Sequence, residues 1–416
     1  MRDLRFVIAC LTILCLTTAG LQAEDVPDTD PATPGPQSQV PRMLKVDWEL
    51  GRNLPQGFQD SDGGFLGGTL ITACGFCSGG LEEDNRRKPG SYPRGFLQKT
   101  WGLNTSDKKA QWESLPDFPG SARQGVFSAV VDERLYVWGG FNYTEPYCYD
   151  DGFVLEKTVE GWKWSPLPKL PRKITSAAMA VVGDRIYLCG GADYDGVRGF
   201  YTEADRQGKN PRMGAALFVL KTTQRDTGWK PLAECPGTPR FVHTMQAVKG
   251  KLYVLGGATG DLVKEGMNYG YCSVVDNWRY DPDESRWERL RDTPVSTGNF
   301  PKSSNLVFQN RYILLPGGHQ YAWIVNPDGS VRSSYGKASR KRPESGLHND
   351  LYVYDTQKDL FGTGDELPID NNLPMSVVHG DRIYLLGGET GGGEVLGEYF
   401  GHHPDLTLVG KIRLVE

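Results

Sequence analysis

The feature that most constrains this chain is a short phrase that recurs along it. It reads Arg134-Leu-Tyr-Val-Trp-Gly-Gly140, then Arg185-Ile-Tyr-Leu-Cys-Gly-Gly191, then Arg382-Ile-Tyr-Leu-Leu-Gly-Gly388. Close variants are Lys251-Leu-Tyr-Val-Leu-Gly-Gly257 and Arg311-Tyr-Ile-Leu-Leu-Pro-Gly-Gly318. Each follows a small-apolar run such as Phe127-Ser-Ala-Val-Val131 and a tight polar turn such as Gly183-Asp184 or Gly380-Asp381. This pattern predicts a hairpin whose second strand ends in glycines, where backbones crowd. A degenerate copy, Gly68-Thr-Leu-Ile-Thr-Ala-Cys-Gly75, has Cys74 where the others have their first glycine. The pairs begin at positions 74, 139, 190, 256, 317 and 387. Six copies at such spacing mean a repeat architecture.

A second signature lies between the pairs: Trp112-Glu-Ser-Leu-Pro116, Trp164-Ser-Pro-Leu-Pro168, Trp229-Lys-Pro-Leu232 and Trp287-Glu-Arg-Leu290. Each Trp is expected on the outer strand of its unit, after a partner strand such as Asn277-Trp-Arg-Tyr-Asp281 or Asp350-Leu-Tyr-Val-Tyr-Asp355. Four strands in each of six units predict an all-β, six-bladed propeller with a central channel. The last unit ends near Lys411-Ile-Arg-Leu-Val415 without an outer strand, while the alternating Met43-Leu-Lys-Val-Asp-Trp48 has no hairpin of its own. The last blade is therefore expected to be closed by the N-terminal strand, which hides the edges. A content of 52 Gly and 27 Pro in 416 residues fits a turn-rich β protein. A net charge of −5 argues against non-specific nucleic-acid binding, which needs a dominant positive field.

The expected domain order is a signal peptide over 1–23, a Pro-rich acidic linker over 24–41 and the propeller over 42–416. Arg2 and Arg5 flank an apolar run from Phe6, and Leu21-Gln22-Ala23 offers a cleavage site. Such a chain is periplasmic or secreted, with no stable membrane insertion once the signal is removed. Six cysteines then remain, scattered as buried small hydrophobes would be. Cys74-Gly-Phe-Cys77 has redox or zinc spacing, but its only close His pair elsewhere is His402-His403. Local pairing or core packing is the reading there, and no metal or other cofactor is expected.

The glycine pair followed by a spaced Trp resembles the kelch family, over nearly the whole mature chain. Within that family, Trp112 to Gly140, the insertion Arg198-Gly-Phe-Tyr-Thr-Glu-Ala-Asp-Arg-Gln-Gly-Lys-Asn210 and Gly387-Gly-Glu-Thr-Gly-Gly-Gly393 are similar to the periplasmic N-acetylneuraminate epimerases, sialic-acid mutarotases. The resemblance implies cofactor-free acid/base interconversion of sugar anomers. Where that family places a glutamate after the fourth glycine pair and an arginine six residues on, this chain has Ala258 and Lys264.

Counting back sixteen residues from the first glycine gives Arg123 and Arg240, with Arg172 two residues further back in its repeat. Arginines converging on the channel mouth would bind a carboxylate or phosphate; the alternative is bonding to loop carbonyls between blades. The residues after the pairs are Phe76, Phe141, Ala192, Ala258, His319 and Glu389. Glu389, with Lys264 or His319, is the candidate acid/base set, and Glu203 and Asp205 are further carboxylates. The expected partner is a small, acidic sugar. A non-catalytic module binding carbohydrate or protein at the mouth is the other reading.

Overall fold

Each copy of the phrase forms the second strand of a four-stranded antiparallel sheet. A computed structural model describes residues 40–78, 94–197, 199–294, 298, 300–302, 305–333 and 346–415. The expected signal peptide and nearly all of the linker lie outside them. Blade 1 contains Asp62–Leu66, Thr69–Ala73, Thr100–Asn104 and Glu113–Ser114. Blade 2 contains Gln124–Val131, Arg134–Phe141, Gly152–Thr158 and Gly161–Pro166. Blades 3, 4 and 5 repeat the order, with second strands Arg185–Cys189, Lys251–Leu255 and Tyr312–Pro316. Blade 6 takes Met375–His379, Arg382–Leu386 and Thr407–Leu414 from the C-terminal end of the chain and Leu44–Leu50 from its N-terminal part. The closure runs in continuous register from Leu44↔Leu414 to Leu50↔Leu408. The fold is thus the expected six-bladed propeller, closed as expected.

The blades are joined by six apolar cores, each drawn from two neighbours. Ile71 meets Val126 and Leu135 between blades 1 and 2. Leu70 meets Met375 and Leu386 between blades 6 and 1, completing the circle. Three of the outer Trp residues stitch the rim by giving their indole N–H an acceptor across it. Trp164 Nε1 donates to Pro116 O at 2.9 Å, Trp287 Nε1 to Ala233 O at 2.8 Å and Trp112 Nε1 to Arg52 O at 2.9 Å, each reaching the segment of the preceding blade.

The glycine pairs work between blades. Both residues have positive φ, for example 66° and 94° at Gly139 and Gly140 and 59° and 102° at Gly387 and Gly388. That conformation aims the second N–H sideways. Gly75 donates to Arg123 O, Gly140 to Ile174 O, Gly191 to Arg240 O, Gly318 to Asn371 O and Gly388 to Phe58 O, all at 2.7–3.0 Å. Each acceptor belongs to the next blade. A Cβ on the first glycine would run into that same neighbour: Gly139 into Ile174 O, Gly190 into Arg240 O, Gly387 into Phe58 O.

The inner strands surround a cavity of about 480 Å³, lined by Gly64, Val130, Val181, Ala247, Val307 and Val377, one from each blade. At the glycine-pair end a backbone ring narrows the axis. Asp60, Gly125, Ser176, Val242 and Leu373 all have φ between 44° and 68°. Val242 N–H donates to Ser176 O, Ser176 to Gly125 O, Gly125 to Asp60 O and Asp60 to Leu373 O, at 2.9–3.1 Å. The blade 5 equivalent lies outside the described residues. A left-handed valine costs about 1–3 kcal/mol, so the ring is held by its surroundings. Lys302 forms a buried ion pair with Asp60 beside it.

Two predictions follow from this packing. Gly387→Ala is expected to cost at least about 2 kcal/mol more than Gly380→Ala in denaturant unfolding, because Gly380 has the same positive φ but nothing within 4 Å of its added Cβ. Equal losses would show that conformation alone requires the pair. His243 is fully buried, and burial, helped by the charge of Arg240, pushes its pKa down to about 3. The unfolded chain then takes up a proton that the folded chain refuses, so stability falls as pH drops from about 6.5 toward 3, by about 1.4 kcal/mol per pH unit from this histidine. His243→Phe is expected to flatten that slope in pH-dependent unfolding.

Candidate functional site

The residue after each glycine pair adds one more antiparallel bridge. These are Gln59↔Phe76, Thr175↔Ala192, Phe241↔Ala258, Gly298↔His319 and Asn372↔Glu389, with Gln124↔Phe141 inside blade 2. Gln59, Gln124, Thr175, Phe241 and Asn372 each immediately precede a ring residue. The six post-pair positions thus form a collar around the ring, at one end of the propeller. Short hairpins rise beyond it, among them Phe76–Cys77 with Gly95–Phe96, Asp193–Tyr194 with Phe200–Tyr201 and Gly393–Val395 with Glu398–Phe400.

Aromatic rings run along this collar as an arc. Phe76 meets Phe96 with centroids at 5.2 Å, Phe96 meets Phe141 at 6.1 Å, and Phe141 meets Tyr194 at 5.0 Å. Tyr194 stacks on Phe200 at 4.6 Å, Phe200 on Phe241 at 5.4 Å, and Phe241 meets Tyr271 at 5.9 Å. Tyr271 meets Tyr321 at 5.9 Å, and Tyr321 meets His319 at 4.9 Å. At the other end, Phe76 lies against His403 at 5.8 Å. Blades 1 to 4 thus place apolar residues directly after their glycine pairs, and blades 5 and 6 place polar ones.

Glu389 sits at that polar end. Asn372 Nδ2 donates to its Oε2 at 2.8 Å, and His402 Nε2 lies 3.4 Å from its Oε1. Both side chains are partly open, 25% for Glu389 and 29% for His402. Hydrogen bonds fix the two neighbouring imidazoles differently. His402 Nδ1 is 2.9 Å from Thr390 O, which can only accept, so Nδ1 carries the proton and Nε2 faces the carboxylate. His403 Nδ1 accepts the Ser78 N–H at 2.9 Å, so its proton is on Nε2. Burial, reinforced by His402 and Arg94, holds His403 well below the usual histidine range, and it stays neutral.

Donor atoms of Glu389, His402 and His403 lie within 4.8 Å of one another, close enough to suggest a metal. Two features oppose one. The rings stack at 4.5 Å and 21°, so their in-plane lone pairs run side by side instead of converging. His403 also presents an N–H, where a ligand needs a bare nitrogen. The cluster is built for hydrogen bonding.

Arg123 and Arg240 bond to backbone carbonyls and aspartates of the blades. Arg123 Nη1 donates to Gly139 O at 3.1 Å and pairs with Asp151 at 2.5 Å, its guanidinium lying over Tyr149 at 3.7 Å. Arg240 Nη1 donates to Gly256 O at 3.1 Å and to Asp276 O at 2.6 Å, and Nη2 pairs with Asp276 Oδ2 at 2.7 Å. Asn371 Nδ2 does the same for Gly387 O at 2.9 Å. These side chains are buried. They return a hydrogen bond to the first glycine of their own blade while their backbone carbonyls receive the second glycine of another. Arg172 lies against Phe218 at 5.2 Å, and burial lowers its pKa.

Lys264 Nζ donates to Gly329 O at 2.7 Å, and Glu389 has its polar contacts with Asn372 and His402 instead. His319 is buried at the far end of the arc. Glu203 and Asp205 line a separate cavity of about 470 Å³ with Asp195 and Asp261. Burial raises Glu203 against the opposing charge of Arg212. Burial also acts to raise Asp205, but Asn210 and the N–H groups of Lys209 and Gln207 bring it below its usual value, as befits a turn cap. The six cysteines of the propeller are buried thiols outside any disulfide, so Cys74 and Cys77 are packing residues; burial pushes the Cys74 thiol up to about 12. Sequence reasoning passed over His402 and His403 as partners of Glu389. Their place thirteen and fourteen residues after it, across a hairpin, was the available signal.

Comparison with known proteins agrees with this architecture. N-acetylneuraminate epimerase of Haemophilus influenzae is 24% identical over 373 residues, 83% of this chain and 89% of that protein. The enzyme of that name from Pasteurella multocida is 22% identical over 371 residues with the same coverage, and that from Yersinia enterocolitica is 25% identical over 327 residues, 71% of this chain and 79% of that protein. A solved structure titled "Structure of YjhT" superimposes with a TM-score of 0.57 at 14% identity, covering 88% of this chain and all of that one, a likeness of fold. A family model for the KLHDC2/KLHL20/DRC7 Kelch-repeats domain matches residues 77–318, the stretch that holds four of the six glycine pairs. With the inter-blade glycine bonds and the stitched Trp rim, this match establishes that the chain belongs to the kelch-repeat family.

Proposed function

We propose that this protein is an exported, cofactor-free mutarotase or epimerase acting on an acidic sugar. One observation carries the reading: Glu389 and His402 meet at the open end of an aromatic arc, on the collar of the propeller. Aromatic faces suit the apolar faces of a sugar ring, and a carboxylate–imidazole pair suits proton transfer at its edge. The names of the epimerase relatives support the same class. Export rests on the charged and apolar N-terminal segment alone.

Interconverting anomers requires a base for the anomeric hydroxyl proton and an acid for the ring oxygen. Glu389 takes the hydroxyl proton, and protonated His402 gives one to the ring oxygen. The carbon–ring oxygen bond breaks, leaving an open-chain carbonyl. Closure on the opposite face reverses both transfers, so no electron carrier is needed. His402 thus takes the place first considered for Lys264, which is held by Gly329 O. Arg94, whose guanidinium is 6.0 Å from the Phe76 ring centroid, supplies a cation on this side for the sugar's carboxylate. Arg123 and Arg240 are occupied within the blades. His319 closes the arc from blade 5.

The aromatic arc by itself would also serve a module that binds carbohydrate without changing it. NMR of anomer exchange separates the two. With N-acetylneuraminate and a panel of neutral sugars, the protein is expected to accelerate exchange of at least one, and Glu389→Gln to lower that rate by roughly 100-fold or more. Binding without acceleration would favour the module, and a Glu389→Gln rate equal to wild type would remove Glu389 from the chemistry.

A further inference from the structure

We infer that His403 is a third working group of this site: a fixed N–H donor that holds the sugar hydroxyl oxygen on which Glu389 and His402 act. The inference deepens the sugar reading above and rests on it.

Three buried polar atoms on residues of this cluster lack a partner among the described residues: His403 Nε2, Ser78 Oγ and Asn372 Oδ1. They are tied to the cluster by hydrogen bonds on their other atoms. Ser78 N–H donates to His403 Nδ1, and Asn372 Nδ2 donates to Glu389. His403 is only 4% exposed, Ser78 3% and Asn372 4%. Buried polar groups in folded proteins are almost always satisfied, so three orphans at one cluster point to a ligand that satisfies them. Their chemistry says which kind. His403 Nε2–H can only donate, Asn372 Oδ1 can only accept, and the Ser78 hydroxyl can do both. A carboxylate or phosphate offers acceptors alone and would oppose Asn372 Oδ1 and Glu389. A metal ion would meet the His403 N–H. Hydroxyl groups, which donate and accept together, match the whole set.

The site also holds His403 in the form the role needs. The Ser78 N–H selects its tautomer, and the stacked rings of His402 and Phe76's edge fix its plane. Its low proton affinity keeps it a neutral donor while the neighbouring pair exchanges protons. The division is then clear. Glu389 and His402 move protons, and His403 positions the oxygen between them.

The test uses the full mature chain with ¹⁵N-labelled histidine. The free protein is expected to show His403 as the Nε2–H tautomer and His402 with a proton on Nδ1. Saturating N-acetylneuraminate, or whichever panel sugar is turned over, should shift the His403 Nε2 and proton resonances. His403→Phe, which keeps the ring stack, should lower kcat/KM for anomer exchange roughly 10- to 100-fold with an unchanged pH–rate profile, because the titrating pair is intact. Should His403→Phe fail to fold, the wild-type spectra decide alone. An Nδ1–H tautomer, or no shift of His403 at saturating sugar, overturns the inference. So does stoichiometric binding of Zn²⁺ alone by calorimetry that is lost in His403→Phe. A sugar that shifts His403 without any accelerated exchange supports the hydroxyl site and removes the epimerase reading, so the two fail separately.

Discussion

The bond on which this molecule depends is the sideways N–H of the second glycine, seen in five of the six pairs among the described residues. It crosses from one blade to a backbone carbonyl of the next, at Gly75, Gly140, Gly191, Gly318 and Gly388. A left-handed backbone is needed to aim it, and close approach of the acceptor leaves no room for a Cβ. Cys74 marks the limit of that rule: it takes the first position of its pair at φ 64°, with its side chain turned into the core between blades 1 and 2. The same bond sets the αL ring two residues further along, because each acceptor is followed by a residue that bridges to the collar and then by a ring residue. Blade contact, axial closure and the height of the collar are therefore one construction.

Because the acceptor is a backbone carbonyl, the side chain at that position is free to vary. Phe58, Arg123, Ile174, Arg240 and Asn371 all occupy it. Where it can donate, it returns a bond to the first glycine carbonyl of its own blade. A buried guanidinium then needs a counter-charge, which Asp151 and Asp276 provide. Burial alone would raise Asp276, yet the charge of Arg240 and the donors on Trp278 and Thr238 bring it below its usual value. These arginines are held by the contacts that the blade junction demands.

That explains which parts of the molecule were legible in the chain. The pairs, the Trp phrases and the orphan strand at Leu44–Leu50 are local patterns with local causes, and they place every blade. Counting sixteen residues back correctly made Arg123 and Arg240 equivalent, but spacing carries no information on whether a side chain points along the axis or between blades. The approach of Ser78 to His403, 325 residues apart, has no local trace at all. Nor does the aromatic arc, which takes Phe96, Tyr194, Phe200, Tyr271 and Tyr321 from loops of unequal length.

A propeller built this way separates scaffold from chemistry. The collar residues follow the glycine pair and are not needed for the inter-blade bond, so each blade can place any residue there. Here blades 1 to 4 place Phe76, Phe141, Ala192 and Ala258, and blades 5 and 6 place His319 and Glu389. The consequence is a mouth with an apolar side and a polar side. A sugar ring bound on it would lay its apolar face along the aromatic arc and turn its hydroxyl edge toward blade 6. Under the proposed function, an alanine at 258 moves the acid/base pair around the collar to Glu389, where the return of the last hairpin brings His402 and His403 alongside it. The chemistry then sits on the blade that also joins the two ends of the propeller.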